Sequence, residues 1–156
     1  MSDANIGMSE ITDAIIDVIA RYGRALDDRD FEAAGACFTE DAQATFSGVV
    51  LAPGRAAIVA HVSGLANLAA STHLFGLPVI EVAGDGRSAR AETTAVAFLA
   101  AVDDGPVRTR GLRYRDEFVL VDGVWLIRER IHRVDWMTES ASIALDRAPA
   151  EGRDGF

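Results

Sequence analysis

Cysteine is nearly absent from this chain. The single Cys37 cannot close an internal disulfide, so nothing points to an oxidising compartment. Positive charge is also short: Lys and Arg number 15 against 24 Asp and Glu, a formal net charge of −9. Nucleic acid and anionic membranes both need a basic face, so neither is expected as a partner. Long apolar runs are missing too. The run 95–102 is far too short to span a bilayer. The opening residues MSDANIGM lack the basic and apolar regions of a signal peptide, and the expectation is a cytoplasmic protein. There is no metal-spaced Cys/His cluster, glycine-rich phosphate loop or internal repeat, so no metal or cofactor is expected.

What remains is enough for one domain with a real core: 156 residues, 49% apolar and 25% charged. The most informative stretch is 110–136. It reads as two long strands joined at Asp122-Gly123, a dipeptide suited to the positive φ angles of a type I′ turn. An uninterrupted register sets Val121 against Val124, Phe118 against Ile127, Asp116 against Glu129 and Tyr114 against Ile131. Alternation then puts Leu112, Tyr114, Asp116, Phe118, Trp125, Ile127 and Glu129 on one face. Arg113, Arg115, Val119, Val121, Val124, Leu126, Arg130 and His132 fall on the other.

Ahead of that hairpin lie three helices. The first spans 9–27, with Ser9 as its cap and Ile11, Ile15, Val18, Ile19, Tyr22 and Leu26 on one face. Asp27 falls on the flank of that face, beside Ala20 and Gly23, where small neighbours leave room for a carboxylate. Asp30 caps a second helix over 31–38. Residues 42–46 and 49–51 form a short hairpin, and a third helix covers about 55–69. From 71 onward the pattern is sheet: a strand over 72–83, one over 88–102, and the hairpin. Three successive turns require an antiparallel meander. Helices first and sheet second is the α+β order. The three N-terminal helices should pack on a strongly curved, mainly antiparallel sheet. The domain should cover 9–138, with tails at 1–8 and 139–156.

This order resembles the SnoaL-like branch of the nuclear transport factor two-like superfamily over roughly residues 8–138. The resemblance rests on Tyr22 with Ala25-Leu26-Asp27 and Asp30, and on Phe38-Thr39-Glu40-Asp41-Ala42. It rests also on His73 opening the first long strand and on Gly111-Leu112-Arg113-Tyr114-Arg115-Asp116-Glu117, followed by Asp122-Gly123-Val124-Trp125 and Arg130. It implies a cone-shaped α+β barrel. Polyketide cyclases, scytalone dehydratase, bile-acid dehydratase, hexachlorocyclohexane dehydrochlorinase and ketosteroid isomerase belong to that superfamily.

The resemblance implies that His73 is a general base oriented by Asp27. That is sensible chemistry on its own, since a carboxylate fixes the imidazole tautomer and stabilises the imidazolium. The plainer alternatives are a solvated helix-end aspartate and a strand histidine bonded to backbone. Arg130 matches a pocket arginine that would stabilise an anion, or else it pairs with Glu117 or another acid. Tyr22 either donates a hydrogen bond to a substrate or simply packs in the core, and Tyr114 has the same two readings. His132 is placed at the pocket mouth, and Phe75 and Phe98 among the apolar lining. His61 reads as a surface or interface residue. One departure is plain: bile-acid dehydratases use a second carboxylate on the second long strand, and residues 95–99 supply none. The expected activity is a cofactor-independent lyase or isomerase, dehydratase- or cyclase-like, acting on a hydrophobic small molecule. The alternative is a binding or oligomerisation module of the same fold. A homo-oligomer, a dimer through the sheet or something larger, is expected in either case.

Overall fold

The computed structural model describes residues 7–142, and the expected tail residues 1–6 and 143–156 lie outside that range. Helix α1, Met8–Asp27, buries the predicted apolar face. Ser9 is not its cap. Gly7 holds that position, and the Glu10 carboxylate accepts the Gly7 N–H at 2.9 Å, one half of a capping box. Helix α2, Phe31–Gly35, is capped as expected: the Asp30 side chain accepts the Ala33 N–H at 3.0 Å. It ends earlier than predicted. The Ile127 N–H donates to the Cys37 carbonyl at 2.9 Å, drawing the chain into strand β1, Phe38–Phe46. Thr39, Glu40 and Asp41 therefore lie in the strand, which begins four residues before the expected start at 42.

Strand β2, Val49–Val50, pairs back on β1, and helix α3 covers Arg55–Val62. The third helix is shorter than its expected span. Ser63 donates its hydroxyl to the Val59 carbonyl at 2.6 Å, Gly64 follows, and the chain tightens into a 3₁₀ turn over Ser63–Asn67.

The single strand expected over 72–83 is two strands, β3 at Ala70–Phe75 and β4 at Val79–Val82, interrupted around Pro78, which has no N–H to pair. Both pair antiparallel with β5, Ser88–Ala100. Strands β6, Val107–Val121, and β7, Val124–Ser140, complete the meander. Asp122 and Gly123 carry φ of 49° and 80°, as the turn requires. The seven-stranded sheet runs β2-β1-β7-β6-β5-β3, with β4 on the end of β5. All pairings are antiparallel except β1 with β7. The sheet does not close: β2 and β3 remain edges. The predicted α+β class and cone architecture are what is found. Among the described residues no helix is long and apolar enough to cross a membrane.

The hairpin register departs from the simple reading at two places, between Gly111 and Leu112 and, nearer the turn, between Glu117 and Phe118. Val121 faces Val124 and Phe118 faces Ile127 as expected, but a bulge follows, after which Glu117 faces Glu129 and Asp116 faces Arg130. A single extra residue reverses the side-chain phase of everything beyond it. Arg128 and Glu129 are both exposed, and Arg130 and His132 move to the inner face. Asp116 thus meets an arginine where the uninterrupted register gave it a glutamate.

Candidate active site

Residue 23 of α1 is glycine, and this decides how closely β3 can approach. A Cβ there would sit 2.5 Å from the Phe75 ring, so only glycine admits the contact. Asp27 lies one helical turn beyond Gly23, and His73 lies two residues before Phe75 on the same strand face. Their side chains therefore meet. His73 Nδ1 lies 2.7 Å from Asp27 Oδ1, and the His73 backbone N–H donates to Oδ2 at 2.7 Å. Ser71 Oγ donates to Oδ1 at 2.8 Å and accepts from Arg29 at 2.6 Å. These donors offset the unfavourable placing of a carboxylate at a helix C-terminus. A carboxylate only accepts, so Nδ1 carries the proton and the imidazole lone pair falls on Nε2. The His73 side chain is 6% exposed and that of Asp27 24%.

His73 lines a cavity of about 390 Å³ between the helices and the concave sheet. Tyr22 and Leu26 of α1 form one wall. Phe46, His61, Leu65 and Leu68 form another, and Ala97, Leu99, Leu112, Tyr114 and His132 supply the sheet side, with Arg108 and Arg110. Burial raises the Tyr22 pKa above its ordinary value in spite of the Arg130 charge, and burial likewise raises that of Tyr114. Both stay neutral phenols with a proton to donate. Burial first, then the charges of Arg130 and Arg110, push His132 down to about 4. Burial also lowers His61.

Several residues sit elsewhere than the sequence suggested. Arg130 does not line the cavity. It is fully buried and forms a bidentate pair with Asp116, both bonds at 2.7 Å. Its guanidinium lies over the rings of Tyr22 at 4.2 Å, Tyr114 at 4.6 Å and Phe38 at 5.2 Å. The bulge carried it inward past the row that reaches the cavity. Phe98 falls on the outer phase of β5 and is exposed. Phe75 faces inward but is occupied by Gly23, Tyr22 and Tyr114. His132 is buried rather than at a mouth, its ring 5.2 Å from Phe46 and 5.0 Å from Tyr114. His61 is exposed, as expected of a surface residue, and its ring also packs on Phe46 at 4.5 Å and borders the cavity. Sequence reasoning passed over Ser71, Arg29 and Arg110. Alternation could have found two of them: Ser71 shares the face of His73, and Arg110 that of Leu112 and Tyr114.

A second concavity, about 520 Å³, lies on the outer sheet face. It is larger, but Arg90, Glu92, Arg115 and Glu117 there are already tied into ion pairs. The inner cavity is the one lined by the histidine that contacts Asp27. Among the described residues no group of three or more metal-ligating side chains comes together.

Comparison with known proteins agrees with this fold. The SnoaL-like domain matches residues 8–131. A scytalone dehydratase-like protein of Novosphingobium aromaticivorans DSM 12444 superposes with a TM-score of 0.78 at 23% identity, covering 91% of this chain and 100% of its own. A type 2 hexachlorocyclohexane dehydrochlorinase gives 0.75 at 17% identity, covering 88% and 93%. At those identities the likeness is one of fold. ActVI-ORFA of Streptomyces coelicolor gives 0.67 at 25% identity, covering 79% and 96%. No curated protein matches the chain in sequence.

Proposed function

The chain belongs to the SnoaL-like domain family, and from that premise we propose a cofactor-independent lyase or isomerase acting on a hydrophobic small molecule. His73 is the general base and Asp27 orients it. The observation that carries this reading is the 2.7 Å contact between Asp27 and His73 Nδ1 at the wall of a cavity. His73 Nε2 removes a proton from carbon beside a carbonyl, and the electron pair moves into an enolate. Tyr22 or Tyr114, each a neutral phenol, hydrogen-bonds the carbonyl oxygen as its charge grows. The proton then returns from the imidazolium. Delivered to a β-hydroxyl it releases water and leaves a double bond; delivered to another carbon it completes an isomerisation. Arg130 touches no substrate in this scheme. It holds the two tyrosine rings in place and acts as a positioning residue.

Two probes test the reading. In heavy water the protein should exchange the protons beside the carbonyl of α-tetralone, read by NMR. It should also dehydrate β-hydroxytetralone to naphthol, read by fluorescence. His73→Ala should lower either rate about 10²–10⁴-fold. Asp27→Asn should leave probe binding largely intact while slowing turnover, because shape is kept and the orienting charge is lost. Unchanged rates in both variants would make the pair structural and the cavity a binding site without turnover.

We also propose that two copies associate through the outer sheet face. The bulge removes Arg130 and His132 from that face and adds Ile131, 46% exposed; Val121 and Val124, at 41% and 50%, lie on the same face at the turn end of the hairpin. Light scattering that gives only a 16.6 kDa species at high concentration would refute this.

A further inference from the structure

The cavity reverses the charge of the chain around it. Among the described residues no aspartate or glutamate lines it, whereas two arginines do, in a protein of net charge −9. The two are not equivalent. Arg108 is exposed and paired with Glu139 at 3.0 Å. The Arg110 side chain makes no ion pair or hydrogen bond with any described residue, and its Nε is buried without a protein acceptor. A buried cationic donor of that kind is costly unless something supplies the acceptor.

The sheet register fixes where Arg110 stands relative to His73. His73 pairs with Ala97 on β5, and Ala97 pairs with Arg110 on β6. The three form one row across the sheet, all on the inner face. Adjacent strands lie about 4.8 Å apart, so the Cα atoms of His73 and Arg110 are roughly 10 Å apart. Only the methyl group of Ala97 stands between them, which leaves the floor of the cavity low. Burial depresses the pKa of His61 and His132, so at neutral pH neither adds positive charge. Among the described residues, the arginine of the cavity without a partner is Arg110.

We infer that the cavity takes a hydrophobic organic carboxylate, its anionic end on the Arg110 guanidinium and its reacting carbon at His73. A guanidinium fork matches a carboxylate in a bidentate way, and the leucines and Phe46 receive an aromatic or alicyclic frame. The inference rests on the reading of His73 as base only for which end of the ligand reacts.

Calorimetric titration with β-naphthoate and its uncharged isostere β-naphthamide separates the two ideas. The intact protein should bind the carboxylate about ten- to a hundredfold more tightly than the amide. Arg110→Met should abolish that preference and leave amide affinity nearly unchanged, while Arg108→Met should retain the preference. Should Arg110→Met fail to fold by circular dichroism, Arg110→Lys serves instead: it keeps the charge, loses the fork, and should lower the preference without removing it. No naphthoate binding, equal affinity for the two probes, or a preference that survives Arg110→Met would overturn the inference. His73→Ala should keep the preference and lose proton exchange. A protein that prefers naphthoate but exchanges no protons supports this assignment and defeats the base; exchange without any preference does the reverse.

Discussion

The two faces of the sheet hold arginine–carboxylate pairs of similar length in opposite surroundings. Inside, Arg130 and Asp116 meet at 2.7 Å with side chains 0% and 1% exposed. Outside, Glu92 takes Arg113 and Arg115, each at 2.9 Å, and Asp135 takes Arg113 and Arg133, all in partial or full contact with water. Length alone does not distinguish them; the medium does. The outer pairs are screened, and their long side chains lose freedom when they pair. The inner pair has given up its water, so each charge depends on the other. Burial is the largest influence on Arg130 and pulls its pKa down, but the charge and hydrogen bonds of Asp116 outweigh it and hold the group cationic. The small residues Ala91 and Ala44 flank this row and leave space for the guanidinium beneath Tyr22 and Tyr114.

The largest expected effect comes from breaking the inner pair. Arg130→Met strands a buried carboxylate and should cost about 3–5 kcal/mol in urea denaturation. Adding Asp116→Leu to it should recover much of that loss, because no charge is then left buried alone. A double variant as unstable as the single one would mean that packing, not charge, dominates there.

A somewhat smaller effect concerns His132 on the same inner face. Its folded value of about 4 lies below the ordinary 6.5, so the unfolded chain binds the extra proton between those values. Its contribution is whole above about pH 6.5 and drains away as pH falls toward 4, roughly 3 kcal/mol in all. Urea midpoints of the protein and of His132→Gln, measured from pH 7.5 to 4.5, should converge as pH falls. Parallel curves would show that His132 does not titrate this way.

The smallest effect belongs to the outer face. Glu92→Gln breaks two ion pairs at once, yet the thermal midpoint should move by less than about 2 °C, and less still in high salt. A shift comparable with that of Arg130→Met would erase the contrast between the faces.

Much of this was legible in the residues. Asp122-Gly123 announced its turn because few other dipeptides tolerate two positive φ angles. The spacing of Ile11, Ile15, Val18 and Tyr22 announced the buried face of α1. Gly23 and Asp27 stand one turn apart, as His73 and Phe75 stand two residues apart. Local periodicity put Asp27 beside Gly23 on its helix and His73 in phase with Phe75 on its strand, because helical and strand phase are set by neighbouring residues; joining the two came from the family resemblance. Tertiary structure decided what local phase cannot carry. The bulge after Ile127 turns on pairing with β6 and β1, and it exchanged Glu129 for Arg130 on the inner face. The row from His73 through Ala97 to Arg110 joins residues far apart in sequence. Whether an arginine ends with a buried aspartate, an exposed glutamate or no partner depends on which strands lie side by side, and only the folded sheet fixes that.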